Sequence, residues 1–280
     1  MAISLVGLQL IASLYKHGVL SNRRSVIEIG AQDLFPKQDD VANLLSRLVG
    51  LQRDPDILIT SEYLYNSLGF TVYKCIDADG RHNALRFDLN ACLVREYNFS
   101  ETFDVVTNLG TTEHVFDQCR VFNNIHDLCG HNGIMIHEVP FQKYLNHGFY
   151  NYQPDFFFDL ASTNHYEVVG IYLGLPNDIM PYSDETASAL FLTNLDIELL
   201  VVLRKTSEEP FRNPYRGKYL SASLHKDRAR AQYARIGIYE QFFPGVRHPR
   251  ADSAADINLM TTKRIAKALL RRMADRFIGV

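Results

Sequence analysis

The stretch of residues 25–33 constrains the fold of this chain more than any other part of the sequence. Three of its first five residues are β-branched and apolar, which is typical of a strand covered on both faces of a sheet. Gly30 follows at once, and glycine lets the backbone turn sharply and approach a ligand closely. Glu28 lies inside the apolar run, where a carboxylate without a partner is costly. The stretch therefore predicts a buried strand that ends in a ligand-binding turn, with a ligand cation or a cluster of backbone N–H groups beside Glu28.

Two later segments also predict strands that are followed by polar residues. Residues 73–77 predict a second strand that is followed by an acid, Asp77, at a position where sheets of this type bind ribose hydroxyls. Residues 103–108 predict a third strand, which leads into the polar segment 109–114. Strands and helices alternate at similar lengths along the rest of the chain, and this pattern predicts a mostly parallel sheet with right-handed crossovers.

Taken in order, these segments resemble the class I S-adenosylmethionine-dependent methyltransferases. The order is a strand with a Glu-x-Gly turn, a strand followed by Asp, a Phe-Asp-Val-Val strand, and then Glu-His opening a helix. The resemblance spans roughly residues 24–202. It departs from the family at the turn, where Gly-x-Gly-x-Gly is replaced by Gly-Ala-Gln-Asp from Gly30 onward. It implies a Rossmann-like α/β fold with a seven-stranded, mostly parallel sheet, helices on both faces, and S-adenosyl-L-methionine as cofactor.

The resemblance also implies which residues surround the cofactor. Glu28 and Gly30 would border its methionine end, and Asp77 would accept hydrogen bonds from the ribose hydroxyls. The other implied contacts are Gln32 at the carboxylate of the cofactor, Asp88 at the adenine amino group, Leu89 beside the ring, and Asn108 and Leu109 near the sulfonium. A helix-cap or turn role is the alternative for Asp77, and a turn role for Asp88.

Histidines are the candidates for chemistry on the acceptor. Methyl transfer depends on aligning the acceptor, and an oxygen acceptor near neutral pH also needs a base, for which histidine is well matched. His114 follows the strand that borders the methyl group, and His147 lies in an aromatic and amide-rich loop. We predict that one of them is the base, the alternative for each being a structural histidine. The residues predicted to contact the substrate beside them are Glu113, Glu138, Tyr150 and Tyr152.

The sequence predicts no metal site. It contains neither His-x-x-x-His nor His-Glu-x-x-His, and its four cysteines match no zinc spacing. Two pairs of adjacent ligand-type residues exist, Glu113 with His114 and His137 with Glu138. Adjacent side chains point apart on regular elements, so neither pair is expected to bind a metal.

Charge is divided unevenly along the chain. Residues 1–203 hold 12 Lys or Arg and 25 Asp or Glu, whereas residues 204–280 hold 17 and 7. This contrast favours a basic tail that packs on the acidic body or on a second subunit, the alternative being a tail that holds an anionic substrate. We predict an N-terminal helix over residues 1–22, a Rossmann-like methyltransferase domain over 23–204, and a basic, mainly helical C-terminal extension over 205–280.

Together these patterns predict an enzyme that moves a methyl group to a small polar acceptor, at oxygen rather than nitrogen, such as a sugar or a natural-product intermediate. One alternative is a nucleic-acid methyltransferase, although the basic tail lacks interleaved aromatics and no Asn-Pro-Pro-Tyr-like motif is present. Another is a non-catalytic nucleotide-binding module, because the turn lacks two glycines. The first twenty residues match neither a signal peptide nor a membrane span, and the cysteines suit a reducing compartment. We therefore expect a cytoplasmic protein without membrane insertion and leave a homodimer open.

Overall fold

Strands and helices alternate along the chain. This computed structural model describes residues 2–52, 54, 56–176, 178–191, 193 and 195–215. The strands are β1 (Ala2–Ile3), β2 (Ser25–Ile29), β3 (Asp33–Leu34), β4 (Val72–Ile76), β5 (Phe103–Leu109), β6 (Cys129–Gln142), β7 (Tyr166–Leu175), β8 (Asp178–Pro181) and β9 (Ile197–Lys205). The helices are α1 (Leu5–Lys16), α2 (Gln38–Val49), α3 (Ser61–Ser67), α4 (Leu93–Tyr97), α5 (Gln118–Leu128), α6 (Pro154–Thr163) and α7 (Asp184–Phe191), with 3₁₀ turns at Arg81–Asn83 and Thr112–His114. Of the basic, mainly helical extension predicted over residues 205–280, residues 206–215 contain no helix and residues 216–280 lie outside the described residues.

Seven strands form one sheet in the order β4-β2-β5-β6-β9-β7-β8. The pairs β4-β2, β2-β5 and β5-β6 are parallel. The pairs β6-β9, β9-β7 and β7-β8 are antiparallel. The sheet is therefore mixed, and the prediction of a mostly parallel sheet was wrong in this respect. The short connection between β7 and β8 allows only an antiparallel return, and β9 inserts between β6 and β7 antiparallel to both.

Apolar side chains cover both faces of this sheet. On one face α4, α5 and α6 pack against alternate strand residues such as Val106. On the other face α1, α2 and α3 pack against the intervening residues, such as Val105. This alternation explains why the central strands are apolar almost throughout, and it gives a Rossmann-like arrangement of a sheet between two helical layers.

The beginning of the chain packs into this body. Ser4 caps α1 by accepting a hydrogen bond from the backbone N–H of Gly7 at 3.0 Å, and most of α1 is buried. Strand β1 pairs in parallel with β3, which follows the Gly30 turn. Within the described residues, no helix combines the length and apolarity needed to cross a membrane.

Two predicted elements differ in the structure. The helix expected from residue 113 starts at Gln118, because Asp117 caps it by accepting from Arg120 N at 2.9 Å. The sequence of residues 83–90 also favours a short strand ending in Asp88, and the structure reduces it to one bridge, between Ile76 and Leu85. Left-handed backbone just before it, at residues 82 and 83, and a turn after it interrupt the pairing.

Candidate active site

The carboxyl ends of four parallel strands meet at one edge of the sheet. Ile29 in β2 lies beside Ile76 in β4 and beside Asn108 in β5, and Asn108 lies beside His137 in β6. Open parallel sheets bind ligands beyond this edge. The segments that follow these strands carry most of the residues predicted for the site, so the topology brings those residues to one region.

The turn after β2 is built around Gly30. Its φ of +87° lies in the left-handed region that favours glycine, and its N–H donates to the carbonyl oxygen of Ile76 at 2.8 Å. Asp77 lies across this turn, and its Oδ2 accepts a hydrogen bond from the backbone N–H of Ala31 at 3.0 Å. Its Oδ1 accepts from Asp79 N at 3.2 Å, which is the turn role considered above. Each carboxylate oxygen has a second lone pair, so Asp77 retains the capacity to bind a hydroxyl group.

Gln32 places an unsatisfied acceptor at the same turn. The side chain is buried, and its Nε2 donates to the carbonyl oxygen of Gly30 at 3.3 Å. This bond fixes the orientation of the amide, because a reversed amide would set two oxygens against each other. Among the described residues, Gln32 Oε1 has no hydrogen-bond partner. A buried acceptor suits the amino group of an amino-acid ligand better than the carboxylate that the sequence suggested.

Glu28 has its partners within the fold. Its oxygens accept from Ser61 Oγ at 2.8 Å and from the hydroxyl of Tyr73 at 2.6 Å. Burial raises the pKa of Glu28 to about 7, and these hydroxyl groups oppose that rise. The sequence suggested a ligand cation or a cluster of backbone N–H groups beside Glu28, whereas its partners within the fold are mainly side-chain hydroxyls, with one backbone hydrogen bond from Gln32. Its contact with the cofactor stays a prediction.

Asp88 and Leu89 occupy the turn after the Leu85 bridge. Asp88 Oδ1 accepts from the backbone N–H and the side-chain amide of Asn90, at 2.8 and 2.9 Å. Leu89 is buried, and its carbonyl oxygen accepts from Asn124 Nδ2 at 3.1 Å. The turn role considered for Asp88 is therefore present. Contacts of both residues with adenine stay predictions.

Asn108 fixes the segment that follows β5. Its Oδ1 accepts from Thr112 N at 3.0 Å, and its Nδ2 donates to Thr112 Oγ1 at 2.9 Å. The same amide lies 3.2 Å from Nδ1 of His137, whose pKa burial lowers to about 3, so that this histidine is neutral. Asn108 thus holds the 3₁₀ turn against β6. Contacts of Asn108 and of the buried Leu109 with the sulfonium stay predictions.

The 3₁₀ turn Thr112–His114 places the side chains of Glu113 and His114 close together, and the side chain of His147 lies beside them. His147 Nε2 lies 3.5 Å from Glu113 Oε1, and His114 Nε2 lies 3.9 Å from the same oxygen. The imidazole rings are 5.0 Å apart. The expectation that Glu113 and His114 point apart was wrong, because it assumed a regular helix where the chain forms a tight turn. We call Glu113, His114 and His147 the Glu-His-His cluster.

The environments within the Glu-His-His cluster differ. Glu113 is fully buried, and no other described residue donates a hydrogen bond to its carboxylate oxygens. Burial raises the pKa of Glu113 to about 7. The side chains of His114 and His147 are 41% and 45% exposed. Burial, followed by the proximity of His147, lowers the pKa of His114. The cluster therefore has an unpaired acid at its base and two imidazoles at its rim.

The loop carrying His147 is held against the turn by the backbone. Phe149 N donates to the carbonyl oxygen of Glu113 at 2.7 Å. A Cβ atom at Gly148 would lie only 2.8 Å from that same oxygen. Glycine at position 148 therefore permits the close approach of two segments that are far apart in the sequence.

Two further acids, the buried Glu138 and the half-buried Glu198, lie near the Glu-His-His cluster. Glu198 Oε1 accepts from the hydroxyl of Tyr144 at 2.8 Å, and the ring of Tyr144 is 5.3 Å from that of His147. Burial raises the pKa of Glu198, and it raises that of Glu138 well above its usual value with a further contribution from Glu198. Sequence reasoning missed Glu198. An acid inside the apolar strand β9 was the available signal, as it was for Glu28.

The two tyrosines predicted for the substrate have protein partners. The hydroxyl of Tyr150 donates to the carbonyl oxygen of Phe116 at 2.8 Å, and that of Tyr152 donates to Gln118 Oε1 at 2.6 Å. Both bonds tie the loop after β6 to the beginning of α5. Direct contacts of the two tyrosines with a substrate stay predictions.

Comparison with known sequences found no matching family model and no matching curated protein. Solved structures of methyltransferases are similar at low identity. A Burkholderia thailandensis 1,6-didemethyltoxoflavin-N1-methyltransferase, with 1,6-didemethyltoxoflavin and S-adenosylhomocysteine bound, is 14% identical over 71% of this chain and 79% of its own, with a TM-score of 0.41. The StiE O-methyltransferase domain is 13% identical over 82% and 81%, also with a TM-score of 0.41. An O-methyltransferase from a trans-AT PKS multienzyme of Brevibacillus brevis, in complex with S-adenosyl-L-homocysteine, is 10% identical over 81% and 77%, with a TM-score of 0.39. At these values the likeness assigns no activity or ligand to this chain.

Proposed function

We propose that this protein is an S-adenosylmethionine-dependent methyltransferase that methylates an oxygen atom of a small polar molecule. One observation carries the proposal: two features lie at the same edge of the sheet, after neighbouring strands. The first is the Gly30 turn with Asp77 across it, and the second is the Glu-His-His cluster. The first feature suits a nucleoside with an amino-acid moiety, and the second suits a hydroxyl group that must lose its proton.

The residues at the Gly30 turn fit such a cofactor. Asp77 would accept hydrogen bonds from the ribose hydroxyls, and the backbone at Gly30 would allow close approach of the ligand. Gln32 Oε1, the buried acceptor without a partner, would receive the amino group. The cofactor, when bound, supplies a methyl group on a positively charged sulfur.

The Glu-His-His cluster would bind the acceptor. Its two histidines are exposed, so a hydroxyl group can reach either ring, and Glu113 lies behind both. The hypothesis that His114 or His147 takes the acceptor proton is compatible with this placement. Tyr150 and Tyr152 would hold the loop after β6, which carries His147, beside the acceptor.

Calorimetry with S-adenosylhomocysteine tests the cofactor site. Replacing Asp77 by Ala should weaken binding by about 1.5–3 kcal/mol, as expected for lost hydrogen bonds to a charged group. Asp79→Ala is the matched control, because Asp79 is a nearby exposed acid whose oxygens bind Arg81 at 2.8 and 2.6 Å. Equal affinities for the wild type and for a folded Asp77→Ala variant would contradict the assignment.

Turnover completes the test. The wild type should form S-adenosylhomocysteine from S-adenosylmethionine when hydroxylated small molecules are added, with the methylated product identified by mass spectrometry. Tight binding without turnover on any acceptor would instead support the non-catalytic nucleotide-binding alternative.

A further inference from the structure

We propose that Glu113, His114 and His147 bind a divalent transition-metal ion of the Zn²⁺ type at the acceptor side of the site. The binding itself does not depend on the proposed function. Only the role of the ion in methyl transfer rests on it.

The distances within the Glu-His-His cluster decide between a hydrogen-bonded dyad and an ion site. Glu113 Oε1 is 3.5 Å from one imidazole nitrogen and 3.9 Å from the other, and neither contact is a hydrogen bond. Ligands about 2.0–2.1 Å from a tetrahedral zinc ion lie about 3.3 Å from each other. One potential ligand atom from each of the three residues lies within 4.8 Å of the other two. The two Glu–His distances are too long for good hydrogen bonds but close to the distance between ligands sharing one ion.

The charge balance of the region favours a cation. Glu113 is fully buried and receives no hydrogen bond from another described residue, which is costly for a carboxyl group. The buried Glu138 and the half-buried Glu198 add two acids nearby. Within the described part of the chain, no Lys or Arg forms an ion pair with any of these three acids. A divalent ion would supply the missing positive charge.

The backbone holds the ligands in place. Asn108 bonds the 3₁₀ turn that carries Glu113 and His114, and Phe149 N binds the carbonyl oxygen of Glu113 beside His147. The turn and the loop therefore keep the three side chains together without an ion.

The donor set indicates the type of metal. Two imidazoles with one carboxylate form a known ligand set of catalytic zinc sites, whereas Mg²⁺ and Ca²⁺ prefer oxygen ligands alone. Both histidines lie at the exposed rim, so an ion there would keep open positions toward the site. An acceptor hydroxyl bound at such a position would become more acidic, which would replace a histidine base. As the oxygen–methyl bond forms, the sulfur–methyl bond breaks with its electron pair staying on sulfur, and the acceptor proton leaves to solvent.

The test is calorimetric titration of the full chain, stripped with a chelator, using Zn²⁺ alone and Mg²⁺ alone. We expect one Zn²⁺ per chain and no comparable Mg²⁺ binding. His147→Ala and Glu113→Gln should each weaken Zn²⁺ binding by at least about 100-fold, since loss of even an outer-shell partner costs about 10- to 100-fold. His131→Ala, which removes an exposed histidine elsewhere, is the matched control and should bind Zn²⁺ like the wild type.

Far-UV circular dichroism of each variant separates lost binding from lost folding, and His147→Ala changes only an exposed side chain. Absence of Zn²⁺ binding to the wild type would overturn the proposal, as would wild-type affinity in a folded His147→Ala variant. Titration with S-adenosylhomocysteine in the same samples keeps the two proposals apart. Cofactor binding without Zn²⁺ binding refutes only the metal site, and the reverse result refutes only the proposed function.

Discussion

Replacing Glu28 by Gln should stabilise the protein at alkaline pH and leave its stability almost unchanged at acidic pH. Glu28 lies in the central strand β2 and is fully buried, with hydroxyl partners on Ser61 and Tyr73. Glutamine has nearly the same shape and stays neutral, and both hydroxyls can bond to its amide. The substitution therefore isolates the cost of the charge.

The size of the effect follows from the pKa of this carboxyl group. Burial raises it from 4.5 to about 7 in the folded protein. Below pH 4.5 the group is protonated in both states and contributes nothing. Between these values the unfolded chain releases its proton first, so the free energy of unfolding falls as pH rises. Above about pH 7 the loss is complete, at about 3 kcal/mol from 1.36 kcal/mol per pKa unit.

Urea denaturation at about pH 5 and about pH 8.5 measures this effect. Far-UV circular dichroism is the suitable signal, because the chain contains no Trp. Glu28→Gln should gain about 3 kcal/mol over the wild type at the higher pH and little at the lower pH. Glu96→Gln, which changes an exposed acid on α4, is the matched control and should show no such pH-dependent gain.

A gain below about 1 kcal/mol at the higher pH would refute the reasoning. It would mean that the hydroxyls of Ser61 and Tyr73 stabilise the carboxylate almost as well as water does. The affinity of the same variant for S-adenosylhomocysteine tests the predicted contact of Glu28 with the cofactor. A marked loss would support that contact, and an unchanged affinity would leave Glu28 as a structural residue.

Two further predictions concern Gly148 and His126. Gly148→Ala should force its loop away from Glu113, because the new Cβ would lie 2.8 Å from a carbonyl oxygen, and should weaken Zn²⁺ binding in calorimetry. Gly130→Ala is the control and should leave Zn²⁺ binding unchanged, because its new Cβ would lie 3.4 Å from the nearest atom. Equal Zn²⁺ affinities of the two variants would contradict the geometry of the Glu-His-His cluster. His126 is buried and hydrogen-bonded to Tyr166 at 2.6 Å, and burial lowers its pKa to about 4. The contribution of His126 to stability should fall as pH drops from 6.5 toward 4, so His126→Gln should gain stability relative to the wild type over this range in urea denaturation.

Much of the fold could be predicted because its central strands are apolar on both faces. The stretch 25–33 gave a strand and a turn in the right place, because β-branched runs followed by glycine have few other structures. The helix expected from residue 113 failed because an apolar periodicity continued through Phe116, whose side chain is 70% exposed. Local capping by Asp117 overrode that pattern, since a side-chain hydrogen bond at a helix start outweighs one apolar position.

The site was only partly predictable for a related reason. His114 and His147 were identified singly, as residues near strand ends, but their convergence on Glu113 depends on the length of β6 and on the close approach at Gly148. Neither of these follows from the residue types near the histidines. Metal motifs on one helix can be recognised from spacing, whereas a site shared by a turn and a distant loop requires the fold.

The short pairing of β1 with β3 has a consequence for ligand binding. A loop rich in glycine has many conformations in the free protein, and ordering it subtracts from the free energy of association. In this chain Asp33 and Leu34, just after Gly30, are fixed by backbone pairing to Ala2 and Ile3. This pairing restrains the end of the loop before any ligand binds, so we expect binding there to have a smaller entropic penalty than in a glycine-rich loop. Because Gln32 and the residues after it replace the second and third glycines of the family turn, the backbone of this turn has less torsional freedom.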